Sequence, residues 1–216
     1  MTTPAPAAQR RVVAWASVSI DGYTSGPDGP EHDTWLYRHA SLETTSTYFE
    51  GIWRGADTAL LGRTNYEGFA SVWPGITADP ASDARTRDVG TWLASVEKVV
   101  FSRTLTEASW TKSRIARDLE AEVRALKSAE GRDILALCSA SIIGELLGLD
   151  LVDDLRFEVL PVLLGGGLRL LPEGTGQLDW QLMDSTTMGN GAVGLHYRRV
   201  RTDPQTDTDS DDSEGL

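Results

Sequence analysis

The stretch ILALCSASIIGELL, residues 134 to 147, decides the fold class of this sequence. Its first four residues, Ile134 to Leu137, form an apolar run with the length of a buried strand. Ser139 or Ser141 then supplies an N-cap for a helix, whose inner face consists of Ile142, Ile143, Leu146 and Leu147. A buried strand that leads directly into a helix is typical of a parallel sheet covered by helices.

The same alternation of strand and helix extends in both directions from this stretch. Hydrophobic spacing predicts further strands over Val12 to Ile20, Thr58 to Leu61, Lys98 to Phe101 and Asp154 to Leu160. It predicts helices over Leu42 to Trp53, from Gly62 to about Phe69 and from about Ala116 to Ala129, and a loop over Trp73 to Arg87.

The last part of the sequence has no helical period. It predicts strands near Gly167 to Leu171, Trp180 to Met188 and Ala192 to Val200, with a hairpin turn at Asn190-Gly191. We therefore predict a single α/β domain over residues 10–201. It has three α/β/α layers and a mostly parallel mixed sheet with a C-terminal antiparallel hairpin.

The charge and the cysteine content exclude several classes of protein. The 216 residues include 20 Lys and Arg against 32 Asp and Glu, a net charge of −12, and one cysteine. A single cysteine forms neither an internal disulfide nor a zinc site of paired cysteines. The acidic balance argues against nucleic-acid binding. No apolar run approaches the ~20 residues needed to span a membrane.

Both ends of the sequence differ in composition from the part between them. Residues 203–216 carry five Asp, one Glu and no basic residue, and an acidic segment without aromatic residues is typical of disorder. We expect residues 1–9 and 202–216 to be disordered, and the tail to be solubilising rather than partner-binding. Because the start of the sequence lacks the apolar segment of a secretory signal, a cytoplasmic location is the default expectation.

Several familiar catalytic patterns are absent from the sequence. Its three histidines are scattered, and it has neither a G-x-S-x-G elbow nor a G-x-x-x-x-G-K-[ST] phosphate loop. Residues 189–194 match G-x-G-x-x-G, but Val193, Leu195 and Tyr197 alternate and predict a strand where that motif needs a helix. Cys138 has no nearby base and is interpreted as a buried, inert thiol.

Polar residues recur where three of the predicted strands end. Gly62-Arg63-Thr64 follows one strand, Ser102-Arg103-Thr104 the next, and Cys138-Ser139-Ala140-Ser141 a third. Ligands of open parallel sheets bind beyond the carboxyl ends of the strands. Free N–H groups at helix N-termini, together with arginine side chains, suit phosphate groups. The order and spacing of these segments therefore predict a site for an anionic cofactor.

Five segments carry a resemblance to a known family: SVSIDGY at 17–23, LGRTNYE at 61–67, VFSR at 100–103, SAS at 139–141 with GLDLVDDL at 148–155, and LPVLLGGGLRLL at 160–171. Through them the chain resembles the dihydrofolate reductase-like superfamily over most of residues 11–200. It is most similar to the reductase domain of bifunctional riboflavin-biosynthesis deaminase–reductases and their stand-alone relatives. The resemblance implies the α/β/α fold of that superfamily, NADPH as the cofactor, a small-molecule substrate and a homodimer.

The resemblance also implies roles for individual residues. One side of the cofactor pyrophosphate would face Gly62, Arg63 and Thr64, and its other side Ser139 and Ala140 with the preceding Cys138. The adenosine ribose and its 2′-phosphate would lie near Ser102 and Arg103. The nicotinamide and substrate cleft would be lined by Ser19, Asp21 and Gly22.

The sequence departs from the family in two places. The family usually has glycine at the position of Cys138, and a side chain there can crowd the pyrophosphate because glycine permits the closest backbone approach. A folate reductase also places a carboxylate on the helix after the first strand. Glu43 and Glu50 lie in that region, but neither aligns with it, so the chain is not interpreted as a dihydrofolate reductase.

Three functional hypotheses follow. The first is an NADPH-dependent reductase that transfers a hydride to a small heterocyclic or ribosylamino-pyrimidine substrate, with Asp21 as the candidate catalytic residue, a polar group in the cleft, and Trp35 as a wall of the pocket. Asp21-Gly22 is equally well explained as a turn, and Trp35 as a core residue. The second is a member with impaired cofactor binding that serves as a small-molecule binding or interaction module. The third is a flavin- or folate-binding relative.

Overall fold

The computed structural model describes residues 9–29, 33–40, 42–171 and 173–201. The predictions of disorder for residues 1–9 and 202–216 fall outside this part of the chain, apart from Gln9. The strands are β1 Val12–Ser19, β2 Tyr23–Ser25, β3 Ala56–Gly62, β4 Glu97–Phe101, β5 Ser113–Ala116, β6 Asp133–Leu137, β7 Asp154–Leu160, β8 Leu168–Arg169, β9 Trp180–Thr187 and β10 Val193–Arg199. The helices are α1 Thr34–Ala40, α2 Glu43–Trp53, α3 Arg63–Ala78, α4 Ala84–Ser95, α5 Leu119–Ser128 and α6 Ala140–Gly148.

One sheet of eight strands organises the fold, in the order β5-β4-β3-β6-β1-β7-β10-β9. All pairs from β5 to β7 are parallel, and β10 and β9 add an antiparallel hairpin at one side. The short strands β2 and β8 form a separate antiparallel pair. The predicted mixed α/β fold, mostly parallel with a closing hairpin, is confirmed.

Helices cover the sheet on both faces because neighbouring residues of each central strand point to opposite sides. On β1, Val12 and Ala14 join an apolar cluster with the buried residues of α5 and α6. Val13 and Trp15 join a second cluster with α2, α3 and α4, in which the Trp15 ring stacks on Phe49 with ring centroids 4.2 Å apart. Every residue of β1 is buried, as expected for the centre of a three-layer fold.

The loop predicted over Trp73 to Arg87 is wrong. The helix that begins at Arg63 continues to Ala78 through Pro74, and α4 begins at Ala84. The Asp83 carboxylate caps α4 by accepting a hydrogen bond from the Thr86 amide at 3.0 Å. Proline and aspartate are typical of loops, but here Pro74 is accommodated within α3 and Asp83 is the N-cap of α4.

Three further elements differ from the sequence-based expectation. The predicted helix from Ala116 begins only at Leu119, because Ser113–Ala116 forms the edge strand β5. The short elements α1 and β2 were not predicted. The short elements β5, α1 and β2 depend on tertiary contacts, since strands and helices of this length have little intrinsic stability. Among the described helices, none is long and apolar enough to span a membrane.

Candidate functional site

The predicted site residues gather at one edge of the sheet. Parallel pairing places Gly62 opposite Phe101 and Trp15 opposite Leu137. The segments that follow β3, β4, β6 and β1 therefore emerge side by side, as expected for the carboxyl ends of parallel strands. This edge carries Ser19, Asp21 and Gly22 after β1, Gly62, Arg63 and Thr64 at β3, Ser102 and Arg103 after β4, and Cys138, Ser139 and Ala140 after β6.

The N-termini of α3 and α6 meet at the centre of this edge. The buried Ser139 hydroxyl accepts a hydrogen bond from the Gly62 amide at 3.0 Å. Neither helix has a side-chain hydrogen bond at its own N-cap, so Ser139, expected to cap α6, instead joins the two helix starts. A Cβ added to Gly62 would be in van der Waals contact with α6, 3.5 Å from Ile142 Cγ1 and Ser141 Oγ, so the two helix starts lie close together at this glycine. Two adjacent helix N-termini without side-chain caps suit an anionic group.

Arginines flank the outer part of the edge. Arg63 lies 3.6 Å from Glu67, and because both side chains are about half exposed, this ion pair is weak and leaves the guanidinium accessible. The Ser102 hydroxyl accepts hydrogen bonds from the amides of Thr104 (3.2 Å) and Leu105 (2.9 Å), which folds the chain into a turn beyond β4.

Arg117 is a candidate that the sequence did not reveal. It follows the edge strand β5, and its guanidinium donates to the carbonyl oxygens of Ser102 and, at 2.6 Å, of Leu105. The turn that holds Arg103 is therefore braced by a second arginine. The sequence predicts Arg117 inside a helix that begins at about Ala116, and it does not predict the strand Ser113–Ala116 that brings Arg117 to this edge.

Cys138 occupies a backbone conformation that favours glycine, with φ +52°. Its amide donates to the Trp15 carbonyl at 2.9 Å, and its carbonyl accepts from the Asn65 side chain at 3.0 Å. Burial raises the pKa of the thiol to about 12, with a smaller contribution from Glu158. The side chain packs against the apolar cluster that contains Trp15, and the neutral thiol is not an activated nucleophile.

Asp21 connects the turn after β1 to the glycine-rich segment after β7. Its carboxylate accepts hydrogen bonds from the amides of Leu164 (3.2 Å) and Gly165 (2.8 Å). The Ser19 hydroxyl and these amides lower the pKa of Asp21 to about 2. Asp21 is therefore an anion at neutral pH, and it accepts hydrogen bonds rather than donating a proton. Gly22, with φ +85°, allows the turn itself.

Trp35 lies in a small apolar cluster beside β7. Its ring packs with Leu160, Met188 and Ala192, and its indole N–H donates to Asp33 Oδ1 at 2.8 Å. Only 8% of the residue is exposed. The structure therefore gives Trp35 a core environment, and its role as a wall of a substrate pocket stays a prediction.

Glu158, on β7, is a buried carboxyl group that sequence analysis did not single out. The Ser17 hydroxyl donates to its Oε2 at 2.8 Å, and its Oε1 has no hydrogen-bond partner among the described residues. Burial raises the pKa of Glu158 above its usual range. The alternation of apolar residues along this strand predicts that the opposite face is the buried one, so it does not predict a buried acid that faces α2.

Comparison with known proteins now assigns the chain to a family. The model of the RibD C-terminal domain, the reductase domain of riboflavin biosynthesis, matches residues 10–194. The chain belongs to this RibD reductase family. Two proteins of Bacillus subtilis (strain 168) are similar to it: the uncharacterized protein YyaP, 29% identical over 189 residues, and the uncharacterized protein YwjB, 26% identical over 195 residues. The matches cover 88% and 89% of this chain and 95% and 99% of the relatives.

Solved structures support the RibD reductase fold. A candidate riboflavin biosynthesis protein from Shewanella sp. PV-4 superposes with a TM-score of 0.65 at 20% identity, over 88% of this chain and 99% of that one. A diaminohydroxyphosphoribosylaminopyrimidine deaminase/5-amino-6-(5-phosphoribosylamino)uracil reductase from Thermotoga maritima gives 0.60 at 12% identity, over 89% and 57%. The resemblance inferred from the five sequence segments is confirmed at the level of family and fold.

Proposed function

We propose that this RibD reductase family member is an NADPH-dependent reductase of a small heterocyclic or ribosylamino-pyrimidine substrate, similar to the reductase named for the Thermotoga neighbour. The observation that carries the proposal is the pair of uncapped helix N-termini joined through Gly62 and Ser139. This arrangement lies at the carboxyl edge of a parallel sheet, with arginine on its outer side. It suits a diphosphate bound through backbone N–H groups.

The residues of this edge fit a phosphorylated dinucleotide. Gly62, Arg63 and Thr64 would contact one side of the pyrophosphate, and Cys138, Ser139 and Ala140 the other. Ser102 and Arg103 would contact the adenosine ribose and its 2′-phosphate, and Arg117 adds positive charge beside them. In this protein of net charge −12, such local groups must supply the attraction for an anion, because more distant charges are screened beyond ~8 Å. When bound, the reduced nicotinamide supplies the hydride.

The substrate would lie at the β1 and β7 side of the same edge. Ser19 and Gly22 shape the turn after β1, and Ser19 Oγ accepts a hydrogen bond from the Tyr23 amide at 2.9 Å. Asp21 orients the segment after β7 through its two amide contacts and does not donate a proton. Trp35, which packs against Leu160 at the end of β7, would form a wall of the substrate pocket on this side. A homodimer and a cytoplasmic location complete the proposal. The exposed edge of β9, with half-exposed Leu182 and Met183, is a surface that a second copy can cover.

A cofactor titration tests the proposal. Thermal unfolding and calorimetric titration are run with NADPH and, in parallel, with NADH. A ligand that binds only the native state at 100 times its dissociation constant adds ~2.7 kcal/mol of stability. We expect a larger shift with NADPH than with NADH. The absence of a shift with either cofactor at millimolar concentration would contradict the proposal.

Arginine variants sharpen this test. Arg103→Ala should weaken NADPH binding and leave NADH binding nearly unchanged, because only NADPH carries the 2′-phosphate. Arg117→Ala also removes the hydrogen bonds to the Ser102 and Leu105 carbonyls, so it should weaken the binding of both cofactors, with the larger loss for NADPH. Arg124→Ala serves as the matched control, since Arg124 is an exposed arginine of α5 paired with Glu120. Equal losses for both cofactors would place these arginines away from the 2′-phosphate.

A second candidate function is favoured by Cys138, whose side chain stands in a glycine-type conformation at the strand end. In this alternative, cofactor binding is impaired and the fold serves as a small-molecule binding or interaction module. The variant Cys138→Gly separates the two. A large gain in NADPH affinity would favour the alternative, and an unchanged affinity would favour the reductase.

A further inference from the structure

Glu158 is flanked by small residues across the sheet. It lies opposite Ser17 on β1 and opposite Gly194 on β10. Ser17, Glu158 and Gly194 thus form a row across three neighbouring strands. The ring of Tyr48 from α2 covers this row and lies 2.7 Å from the position that a Cβ of residue 194 would occupy. Glu158 therefore extends into the layer between the sheet and α2 with no large neighbour on either side in the sheet.

The hydrogen bonding of this carboxyl group is incomplete. Only 1% of Glu158 is exposed, and Ser17 satisfies Oε2, but Oε1 has no partner within the described chain. The adjacent Thr45 hydroxyl is shared: it contacts Met188 Sδ at 3.6 Å and also acts on the Glu158 carboxyl group, so it satisfies neither acceptor fully. Buried polar atoms nearly always have a partner, and an exception in a folded protein requires an explanation. A bound molecule that accepts a hydrogen bond from Oε1 would provide it.

The charged and titratable groups around Glu158 leave it without an ion pair. The groups that act on it or on the neighbouring Tyr48 are His39 at the end of α1, Tyr48 itself on α2, Cys138 after β6, Arg156 on β7 and Asp184 on β9. No described cation lies within ion-pair distance of the carboxyl group. Burial is the largest influence and raises the pKa of Glu158, while the Ser17 and Thr45 hydroxyls and His39 offset part of that effect.

Glu158 lies close to the substrate side of the candidate site. It precedes the end of β7 by two residues, which is about 7 Å at the rise of a strand. Its partner Ser17 precedes Ser19 by the same distance, and its charge is felt by Cys138 at the end of β6. A substrate group inserted between β1 and α2 below Ser19 would meet Oε1.

Asp21, the other carboxylate placed at the substrate side, is a poor proton donor. It is held as an anion by the amides of Leu164 and Gly165, which help to lower its pKa to about 2. An acid catalyst must hold its proton at the working pH. On α2, Glu43 is largely exposed and lies 3.6 Å from Arg85, and Glu50 forms an ion pair with Arg54 at 2.6 Å, so neither extends into the layer that contains Glu158.

We propose that Glu158 is the proton donor of the reductase and that its Oε1–H group faces the substrate, an inference that rests on the proposed function. A hydride from the reduced nicotinamide forms a C–H bond at the carbon of a C=N or C=O group, whose π electrons move to the nitrogen or oxygen. That atom takes the proton of Oε1. The resulting carboxylate accepts the Ser17 hydrogen bond and is reprotonated from water.

The variant Glu158→Gln tests this role, with Glu145→Gln as the matched control, since Glu145 is exposed on α6. NADPH binding is measured first, then NADPH oxidation in a single turnover with 5-amino-6-(5-phosphoribosylamino)uracil as the probe. We expect Glu158→Gln to bind NADPH as the wild type does and to transfer hydride about 100-fold more slowly or worse. The rate should also lose its decline at alkaline pH. The control should match the wild type in both measurements.

A second measurement does not depend on turnover. The infrared difference spectrum between the wild type and Glu158→Gln, without ligands at pH 7, should contain the band of one protonated carboxyl group. If Glu158→Gln does not fold, the pH–rate profile of Ser17→Ala tests the role of Glu158 instead. Loss of the hydroxyl that stabilises the carboxylate should move the alkaline limb of the rate profile to higher pH, and an unmoved limb would overturn the proposal.

The outcomes separate this inference from the proposed function. If the wild type binds no nicotinamide cofactor, or binds NADPH but does not reduce the probe, the proposed function or its substrate class fails, and the role of Glu158 fails with it. If the wild type reduces the probe and Glu158→Gln does so within twofold of the same rate, only the role of Glu158 is overturned.

Discussion

Ser139 Oγ lies 3.0 Å from the amide nitrogen of Gly62, and this hydrogen bond joins the first turn of α6 to the end of β3. It is buried, and it connects two βα units that are far apart in the sequence. The edge proposed to bind a pyrophosphate is therefore held together by a hydrogen bond within the protein itself.

Removal of this hydroxyl should affect both stability and cofactor binding. Ser139→Ala leaves the buried Gly62 amide without a partner, which typically costs ~1–3 kcal/mol. We expect a lower urea midpoint with an unchanged m-value, and weaker NADPH binding because the two helix N-termini are no longer joined. Ser71→Ala, at an exposed serine of α3 whose hydroxyl donates only to the Gly68 carbonyl, is the control. Equal stability of Ser139→Ala and the wild type would show that the contact contributes nothing.

The packing of α3 against α4 depends on Gly90. A Cβ at this position would lie 1.9 Å from Thr77 Oγ1, whose hydroxyl donates to the Trp73 carbonyl at 2.7 Å. Gly90→Ala should therefore destabilise the fold by ~1–3 kcal/mol, the usual range for overpacking. Thr77→Ala in the same chain should restore part of the loss by removing the nearest atom.

A matched glycine of α3 provides the control for this prediction. Nothing lies within 4 Å of a Cβ added to Gly75, so Gly75→Ala should be neutral or stabilising, because alanine is the better helix former by ~1 kcal/mol. Denaturant unfolding of the two variants measures the contrast. Similar stabilities for Gly90→Ala and Gly75→Ala would contradict the close approach of the two helices.

The raised pKa of Glu158 makes a definite prediction for the dependence of stability on pH. Between the unfolded value of about 4.5 and the higher folded value, the native state binds more protons than the unfolded state. The free energy of unfolding of the wild type should therefore fall as pH rises through this window. Glu158→Gln should lack this fall. Urea midpoints from pH 4 to pH 9 measure it, and parallel profiles for both proteins would refute a buried protonated acid.

Asp21 predicts the opposite slope. Its pKa is lowered from 3.8 to about 2 in the folded protein, so the unfolded state binds more protons between these values. The stabilising effect of the carboxylate should be complete above pH 4 and should disappear as pH falls toward 2. In Asp21→Asn this acid-sensitive part should be absent, while exposed Glu107→Gln should keep it. Acid titration followed by circular dichroism compares the three proteins.

The sequence was sufficient for the positions of most strands and for the edge that carries the site. The apolar run Ile134 to Leu137 and the polar residues that follow it have a strong local signal, because a buried parallel strand is almost continuously apolar. The edge strand β5 has no such signal. It contains four residues, most of them only half-buried, and pairing with β4 rather than its own composition makes it a strand.

The candidate site was predictable only in part, for a similar reason. Arg63, Arg103 and Ser139 follow apolar runs directly and could be placed by counting residues. Arg117 could not be placed without β5. The burial of Glu158 could not be predicted, since an acid inside an amphipathic strand normally indicates the solvent face. The Tyr48 ring, which belongs to a distant part of the sequence, covers this position and makes its environment apolar.

The residues Ser17, Glu158 and Gly194 lie side by side on β1, β7 and β10, which are the first strand, the last parallel strand and the last strand of the described chain. A polypeptide emerging from the ribosome therefore lacks this environment until β10 is available to pair with β7. Any shortened chain that ends before β10 would leave Glu158 open to water on that side and would lose part of the burial that raises the pKa of this carboxyl group. The environment that raises the pKa of Glu158 is thus completed only when the last strand of the chain has paired.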